Sequence, residues 1–149
     1  MHRTIGAGLL INSEYLNWLK SKQIVFIWNK IGQNGTPAST YSNLVLLDSA
    51  IAQAIKNGLI PIIELHDQTC QNFPSALINL ANWFVQPAVI QIINRYKHSI
   101  ILNIANEAIH VNWTSNPGLA KTTFQNTYST IVNTLRSAGI SVPIMIDGP

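Results

Sequence analysis

The stretch Ile100-Ile-Leu-Asn-Ile-Ala-Asn-Glu107 decides the fold of this chain. Its apolar residues mostly occupy consecutive rather than alternate positions, a pattern typical of a parallel strand that is covered on both faces. The run ends in a polar pair, Asn106 and Glu107. Because the chain has only six acidic residues among 149, a carboxylate at the end of a buried run is a candidate for catalysis.

Similar apolar runs occur at three other places, and helical patterns separate them. The four predicted strands are residues 23–28, 59–65, 99–105 and 142–146. The helices are predicted from apolar stripes formed by Leu44, Leu47, Ile51, Ala54 and Ile55, by Leu77, Leu80, Ala81 and Phe84, by Ile90 and Ile93, and by Phe124, Tyr128, Ile131 and Leu135. Gly58 and Gly139 are predicted to end helices, and Pro87 is predicted to begin one.

The alternation of strands and helices predicts an α/β fold with a parallel sheet. A doubly wound sheet would usually have a glycine-rich turn after its first strand, and residues 31–35 match neither a dinucleotide motif nor a phosphate loop. Carboxylates at the ends of several strands instead favour a (β/α)8 TIM barrel. A complete barrel needs about 250 residues. We therefore expect residues 1–149 to form one partial barrel domain that contains about the first half of the barrel, up to five strands.

Composition argues against several other classes of protein. Hydrophobic residues make up 47% of the chain and charged residues 10%, so the chain is not intrinsically disordered. The net charge of +3 comes from scattered Lys and Arg residues, which argues against nucleic-acid binding. No apolar run approaches the length of a membrane span, and residues 4–11 lack a clear signal-peptide cleavage site. Cys70 is the single cysteine and the four histidines lack a metal-ligand spacing, so no metal is expected.

Glu107 is the main candidate catalytic residue. A carboxyl at the end of a buried strand can act as a general acid and base, and an apolar neighbourhood would raise the pKa of that carboxyl toward neutrality. Asn106 beside it can bond a substrate hydroxyl from the turn. The alternative is that Glu107 starts a helix and stabilises its first turn through the helix dipole.

Further candidates stand at the ends of the neighbouring strands. His66 and Asp67 follow the run 59–65, and Asp147 ends the last run. Trp113 follows Glu107 in the next loop, where an indole can stack on a sugar ring. These four residues are predicted to contact substrate, although each also has a structural role open to it. Glu64 lies inside its strand and is expected to be paired or to belong to a buried network, because an unpaired buried carboxylate is costly.

The strand segments resemble those of glycoside hydrolase family 5, the cellulase and β-mannanase superfamily. Residues 100–107 with Trp113 resemble the fourth strand of the family, residues 59–67 its third, and residues 142–147 its fifth. The resemblance covers most of residues 25–149. It implies a (β/α)8 barrel that hydrolyses β-1,4-linked polysaccharide, of the mannan or cellulose type, with retention of configuration and without a cofactor.

The resemblance also implies roles for individual residues. Glu107 matches the acid/base, Asn106 the residue that contacts the sugar 2-hydroxyl, and His66 a substrate-binding histidine. Retaining enzymes use two carboxyl groups about 5 Å apart. In the family the nucleophilic Glu comes from the seventh strand, whereas this chain reaches about the fifth. Phe26 also stands where the family has an Arg that supports the nucleophile.

Three alternatives therefore stay open beside a half-barrel glycosidase. In the first alternative, the chain is a catalytically inactive half-barrel that binds carbohydrate. In the second, two copies pair as a homodimer and close one barrel. In a third alternative, Asp67, Glu107 and Asp147 form a site for a divalent cation. Because the implied substrates are polysaccharides, an extracellular location is expected, although no clear signal peptide is present.

Overall fold

The computed structural model describes residues 4–6, 24–29, 41–65, 67–109 and 114–148, with side chains in residues 44–65, 67–109 and 114–148. The strands are β1 (Thr4–Gly6), β2 (Ile24–Asn29), β3 (Ile60–Leu65), β4 (Ile101–Asn103) and β5 (Ile144–Met145). The helices are α1 (Tyr41–Lys56), α2 (Pro74–Ala81), α3 (Pro87–Arg95) and α4 (Pro117–Ser137), and a 3₁₀ helix covers Asn82–Val85.

The five strands form one parallel sheet in the order β1-β2-β3-β4-β5. Each strand therefore pairs with the next one in the chain, and β1 and β5 are the outer strands of the described sheet. Helices connect β2 to β3, β3 to β4 and β4 to β5. Sequential parallel strands joined by helices are the arrangement of a (β/α)8 barrel. This confirms the predicted fold class, a partial barrel.

The strands differ from their predicted bounds at the edges of the sheet. β1 is not predicted from the sequence, because three residues are too few to show an apolar run. β4 and β5 are shorter than the predicted runs, but hydrogen bonds continue past their ends. The Ile104 N–H donates to the Met145 carbonyl at 3.2 Å, and the Asn106 N–H donates to the Leu65 carbonyl at 3.4 Å. Residue 106 is thus held against the end of β3.

The helices cover one face of the sheet and form the core with it. Strand residues on this face are fully buried or nearly so, and apolar residues of all four helices pack on them. The cluster includes Ile63, Leu65, Leu102 and Ile104 from the strands and Leu47, Ile51, Leu77, Ile93, Ile131 and Leu135 from the helices. Since side chains alternate along a strand, Glu64 and Asn103 point to the opposite face.

The predicted helical stripes are confirmed, with one difference. Phe84 lies in the 3₁₀ helix and not in α2. The α conformation is disfavoured for a residue that precedes a proline. Gln86, which precedes Pro87, is accordingly extended, with φ −66° and ψ 138°. The chain therefore leaves α2 through a 3₁₀ turn before α3 begins. Phe84 is nevertheless fully buried.

Local interactions fix both ends of α4 and so place β5. At its start, the Asn116 Oδ1 accepts a hydrogen bond from the Leu119 N–H at 3.0 Å. At its end, Gly139 adopts a positive φ of 82°. The Arg136 guanidinium then donates to the carbonyls of Ile140 at 2.6 Å and Val142 at 2.9 Å. These bonds hold the short connection that leads from α4 to β5.

Among the described residues, no single helix has both the length and the apolar character needed to cross a membrane. The bent pair formed by Pro74–Val85 and Pro87–Arg95 passes that test only when its two parts are taken together.

Candidate active site

The carboxyl ends of β3, β4 and β5 meet at one edge of the sheet, because the three strands are parallel and adjacent. Asp67 follows β3, Asn106 and Glu107 follow β4, and Asp147 follows β5. The structure therefore brings four of the six predicted site residues to the same rim. His66 and Trp113, the other two, lie outside the described residues and stay predictions. The side chain of Phe26 in β2 is likewise outside them.

Glu107 lies in a tight turn that we call the Glu107 turn (residues 106–109). Its φ of 44° is in the left-handed region, as is the φ of 59° at Ile109. Left-handed backbone is unfavourable for residues with a side chain, and especially for a β-branched one. The backbone carbonyl of Glu107 accepts a hydrogen bond from the Cys70 N–H at 3.1 Å. Contacts from outside the turn therefore hold it in a conformation that it would not adopt alone.

Two expectations about Glu107 are wrong. No helix begins at this residue, since α4 starts at Pro117, so the helix-start interpretation fails. Its side chain is exposed, so it does not have the apolar surroundings that were expected. The physical reason is the same in both cases. The left-handed turn carries residue 107 past the last ladder hydrogen bond of β4, onto the open rim of the sheet.

A partly buried polar pair links this rim to the interior of the sheet. The Asn103 Nδ2 donates a hydrogen bond to the Asp147 Oδ2 at 2.8 Å. Asn103 is fully buried, and its Oδ1 accepts no hydrogen bond in the described structure. Glu64 stands opposite Asn103 in the strand register and is only 3% exposed. Glu64 has interactions of its own, as expected of a buried carboxyl. Sequence analysis missed Asn103, although a single amide inside an apolar run was the available signal.

Replacing Asp147 by Ala is expected to lower the free energy of unfolding by about 1–3 kcal/mol, because the buried amide of Asn103 loses its acceptor. A matched control is Asp48→Ala. Asp48 pairs with Arg95 at 2.7 Å, but on the surface, where such a pair contributes about 0–1 kcal/mol. Urea unfolding followed by circular dichroism measures both variants. Equal losses of unfolding free energy in the two variants would show that the Asn103–Asp147 bond stabilises the fold no more than a surface ion pair does.

A second buried group reaches the Glu107 turn from the helix layer. Tyr128 of α4 is 2% exposed, and its Oη donates a hydrogen bond to the Ala108 carbonyl at 3.3 Å. Burial raises the pKa of Tyr128 to about 12, and the nearby negative charge of Asp147 adds to this effect. The phenol is therefore a neutral donor at physiological pH. Nothing in the sequence signals this role, because Tyr128 reads there as one residue of an apolar stripe.

The predicted alternative of a cation site is not supported. Within the part of the chain that the structure describes, no three His, Cys, Asp or Glu residues are close enough to hold a metal ion. Asp67, Glu107 and Asp147 share a rim but do not converge. The described rim thus offers one exposed carboxyl, on Glu107, that can exchange a proton with a bound molecule.

Comparison with known proteins agrees with this arrangement. The sequence model described as cellulase, glycosyl hydrolase family 5, matches residues 13–149. No curated protein matches the chain.

Similar solved structures are about twice as long as this chain. A β-mannanase from Streptomyces thermolilacinus is 18% identical with a TM-score of 0.66, and the match covers 100% of this chain and 48% of that one. The mannohexaose complex of a Thermomonospora fusca β-mannanase is 16% identical with a TM-score of 0.67, over 100% and 49%. An endoglucanase catalytic domain from Thermobifida fusca is 16% identical with a TM-score of 0.66, over 99% and 48%. At these identities the likeness shows the fold alone.

Proposed function

Because the chain belongs to glycosyl hydrolase family 5, we propose that it forms the acid/base half of a retaining glycosidase site for β-1,4-linked polysaccharide. The observation that carries this proposal is the position of Glu107. It stands in a held turn at the carboxyl end of β4, on the rim shared with β3 and β5. In (β/α)8 barrels this rim is where catalytic residues come from.

In the proposed reaction, Glu107 first acts as an acid. A carboxylate nucleophile attacks the anomeric carbon, the glycosidic C–O bond breaks, and the proton of Glu107 goes to the departing oxygen. Glu107 then acts as a base and takes a proton from water, whose oxygen attacks the anomeric carbon and releases the nucleophile. We propose that the nucleophile comes from a strand outside this chain. The two carboxyl groups suffice, so no cofactor is needed.

The other rim residues are proposed to bind the polysaccharide. Asn106 is half-buried beside Glu107, and we propose that it bonds a sugar 2-hydroxyl. Asp67 and Asp147 offer carboxylate acceptors on the flanking strands, and His66 and Trp113 are proposed to add a donor and a stacking surface. Since polysaccharides are too large to enter a cell unaided, we propose that the protein acts outside it.

Release of reducing sugars from β-mannan and from β-1,4-glucan by the purified chain tests this function. Release from one polymer identifies the substrate class and shows that a nucleophile is available. A folded chain that releases sugar from neither polymer would contradict activity by this chain alone. Binding of mannohexaose or cellohexaose, measured by calorimetry, would then separate a carbohydrate-binding half-barrel from one without a carbohydrate ligand.

A second candidate is self-association of two copies, and the outer side of β5 favours it. An open groove of about 390 Å³ lies there between α4 and β5, lined partly by Phe124, Val132 and Ile146. Ile146 is 40% exposed. Parallel strands at an open edge also leave backbone donors and acceptors free to pair.

We expect the chain to elute as a dimer, and Ile146→Lys to shift it toward the monomer, because a charge at the apolar groove opposes pairing. Size-exclusion chromatography with light scattering measures the mass directly. Leu119→Lys is the control, since Leu119 is more exposed, at 62%, but lies at the start of α4, away from the groove. A wild-type chain that stays monomeric at high concentration would rule out the closed homodimer.

A further inference from the structure

The Glu107 turn is held by residues from three separate elements. At the end of β3, the Leu65 carbonyl accepts a hydrogen bond from the Asn106 N–H at 3.4 Å. The loop after β3 donates the Cys70 N–H to the Glu107 carbonyl at 3.1 Å. Helix α4 donates the Tyr128 hydroxyl to the Ala108 carbonyl at 3.3 Å. Three peptide groups of the turn are therefore bonded from different sides.

These bonds matter because the turn is intrinsically unfavourable. Glu107 and Ile109 both have positive φ, and so does Cys70, at 59°. Such conformations persist only where the surroundings determine them. Ile109 is 1% exposed, so the turn is also fixed by packing at its far end. The Glu107 side chain is exposed, so the backbone fixes the direction of its Cα–Cβ bond and thereby limits where its rotamers can place the carboxyl.

Of the three bonds, only the one from Tyr128 is made by a side chain. Its ring is buried in the helix layer, and the Phe124 ring packs beside it at 4.6 Å between centroids. Because Tyr128 is 2% exposed and its hydroxyl is bonded to the Ala108 carbonyl, it offers almost no surface to a substrate. Its pKa, raised to about 12, keeps it protonated, and thus a donor, at neutral pH.

We propose that Tyr128 is a positioning residue for Glu107, which fixes the Glu107 turn from the helix layer in concert with the Cys70 amide. The inference rests on the proposed function, since positioning matters for catalysis only if Glu107 is the acid/base. Tyr128 does not touch substrate. It acts by limiting the directions in which the Glu107 carboxyl can point, and a misdirected acid lowers the rate of the chemical step.

The test variant is Tyr128→Phe, which removes the hydroxyl and keeps the ring. The matched control is Tyr96→Phe. Tyr96 is half-buried at the end of α3, before β4 begins, and thus lies at the opposite end of that strand from Glu107. Both variants lose one phenol oxygen, but only Tyr128→Phe loses the hydrogen bond to the Glu107 turn.

Hydrogen exchange of the Cys70 amide, measured by NMR on the full chain, reads the turn directly and needs no activity. In Tyr128→Phe we expect this exchange to quicken about five- to tenfold, as expected for the loss of one hydrogen bond. The amides of α3 should keep their rates, and Tyr96→Phe should leave the Cys70 amide unchanged. Equal acceleration at Cys70 and throughout α3 would mean general destabilisation and would overturn the proposal, as would no acceleration.

Hydrolysis supplies the second measurement. If the wild-type chain releases sugar, Tyr128→Phe should lower kcat about tenfold and leave KM unchanged, because the lost interaction serves the transition state alone. An unchanged kcat would overturn the positioning role. If the wild-type chain is inactive, the proposed function fails for this chain, and hydrogen exchange alone decides whether Tyr128 fixes the Glu107 turn.

Discussion

Where the nucleophile is also present, replacing Glu107 by Gln is expected to lower polysaccharide hydrolysis by about 10²- to 10⁴-fold, the range typical of a positioned general acid and base. The amide has nearly the shape of the carboxyl but can neither give a proton to the glycosidic oxygen nor take one from water. Glu107 is exposed, so the substitution buries no unpaired group and the fold should keep its stability. Reducing-sugar release checks the expected loss of hydrolysis, and urea unfolding of the same preparation checks that the stability is unchanged.

The control for Glu107→Gln is Asp48→Asn, which also converts a carboxyl to an amide. Asp48 lies on α1 and pairs with Arg95 of α3, away from the rim. Its replacement should leave hydrolysis unchanged. A substrate with a dinitrophenyl leaving group gives a sharper test, because such a group departs without protonation. With azide added to replace the activated water, Glu107→Gln should regain turnover. Full activity of the variant on polysaccharide would remove Glu107 from the mechanism.

Replacing Phe84 by Ala is expected to lower the free energy of unfolding by about 3–5 kcal/mol, the range for deleting a buried aromatic ring. Phe84 is fully buried and lies in the 3₁₀ helix between α2 and α3. Its ring meets that of Trp83 edge-on at 5.4 Å between centroids. A loss of this size is a large share of the stability of a typical domain. Urea unfolding monitored by tryptophan fluorescence measures it.

Phe73→Ala is the control for that substitution, because it makes the same chemical change at a surface position. Phe73 is 60% exposed and lies just before α2, so its replacement should change stability by less than about 0.5 kcal/mol. Similar losses in the two variants would mean that the core around the 3₁₀ helix is not packed as described.

Much of the fold is predictable because its signals are local. Gly58 and Gly139 adopt the positive φ expected where helices end, and Pro87 begins α3 as predicted. Consecutive apolar residues mark β3 and β4 because residues 61–65 and 102–105 are buried whichever face of the sheet they point to. The sequence does not show over how many residues two neighbouring strands pair. The pairing of β4 and β5 depends on residues far apart in the chain, because Ile62 of β3 pairs with Ile101 and Leu102 of β4 pairs with Ile144.

The candidate site is likewise predictable from the sequence only in part. The position of Glu107 at the end of β4 is predictable from its place after an apolar run. Its left-handed turn, its exposure and its support by Tyr128 are not, because they depend on distant segments meeting in space. Tyr128 illustrates the limit, since its ring follows the helical period while its hydroxyl acts on a strand end 20 residues away. His66 and Trp113 remain predictions.

The order of the strands has a consequence for biosynthesis. Since every strand pairs with the one before it, each new strand–helix unit leaving the ribosome finds its neighbour already made. Domains generally form from the N-terminus during synthesis, and this topology requires no earlier strand to wait for a later one to be inserted beside it. The described sheet can therefore grow by addition at one edge, in the order in which its strands are made.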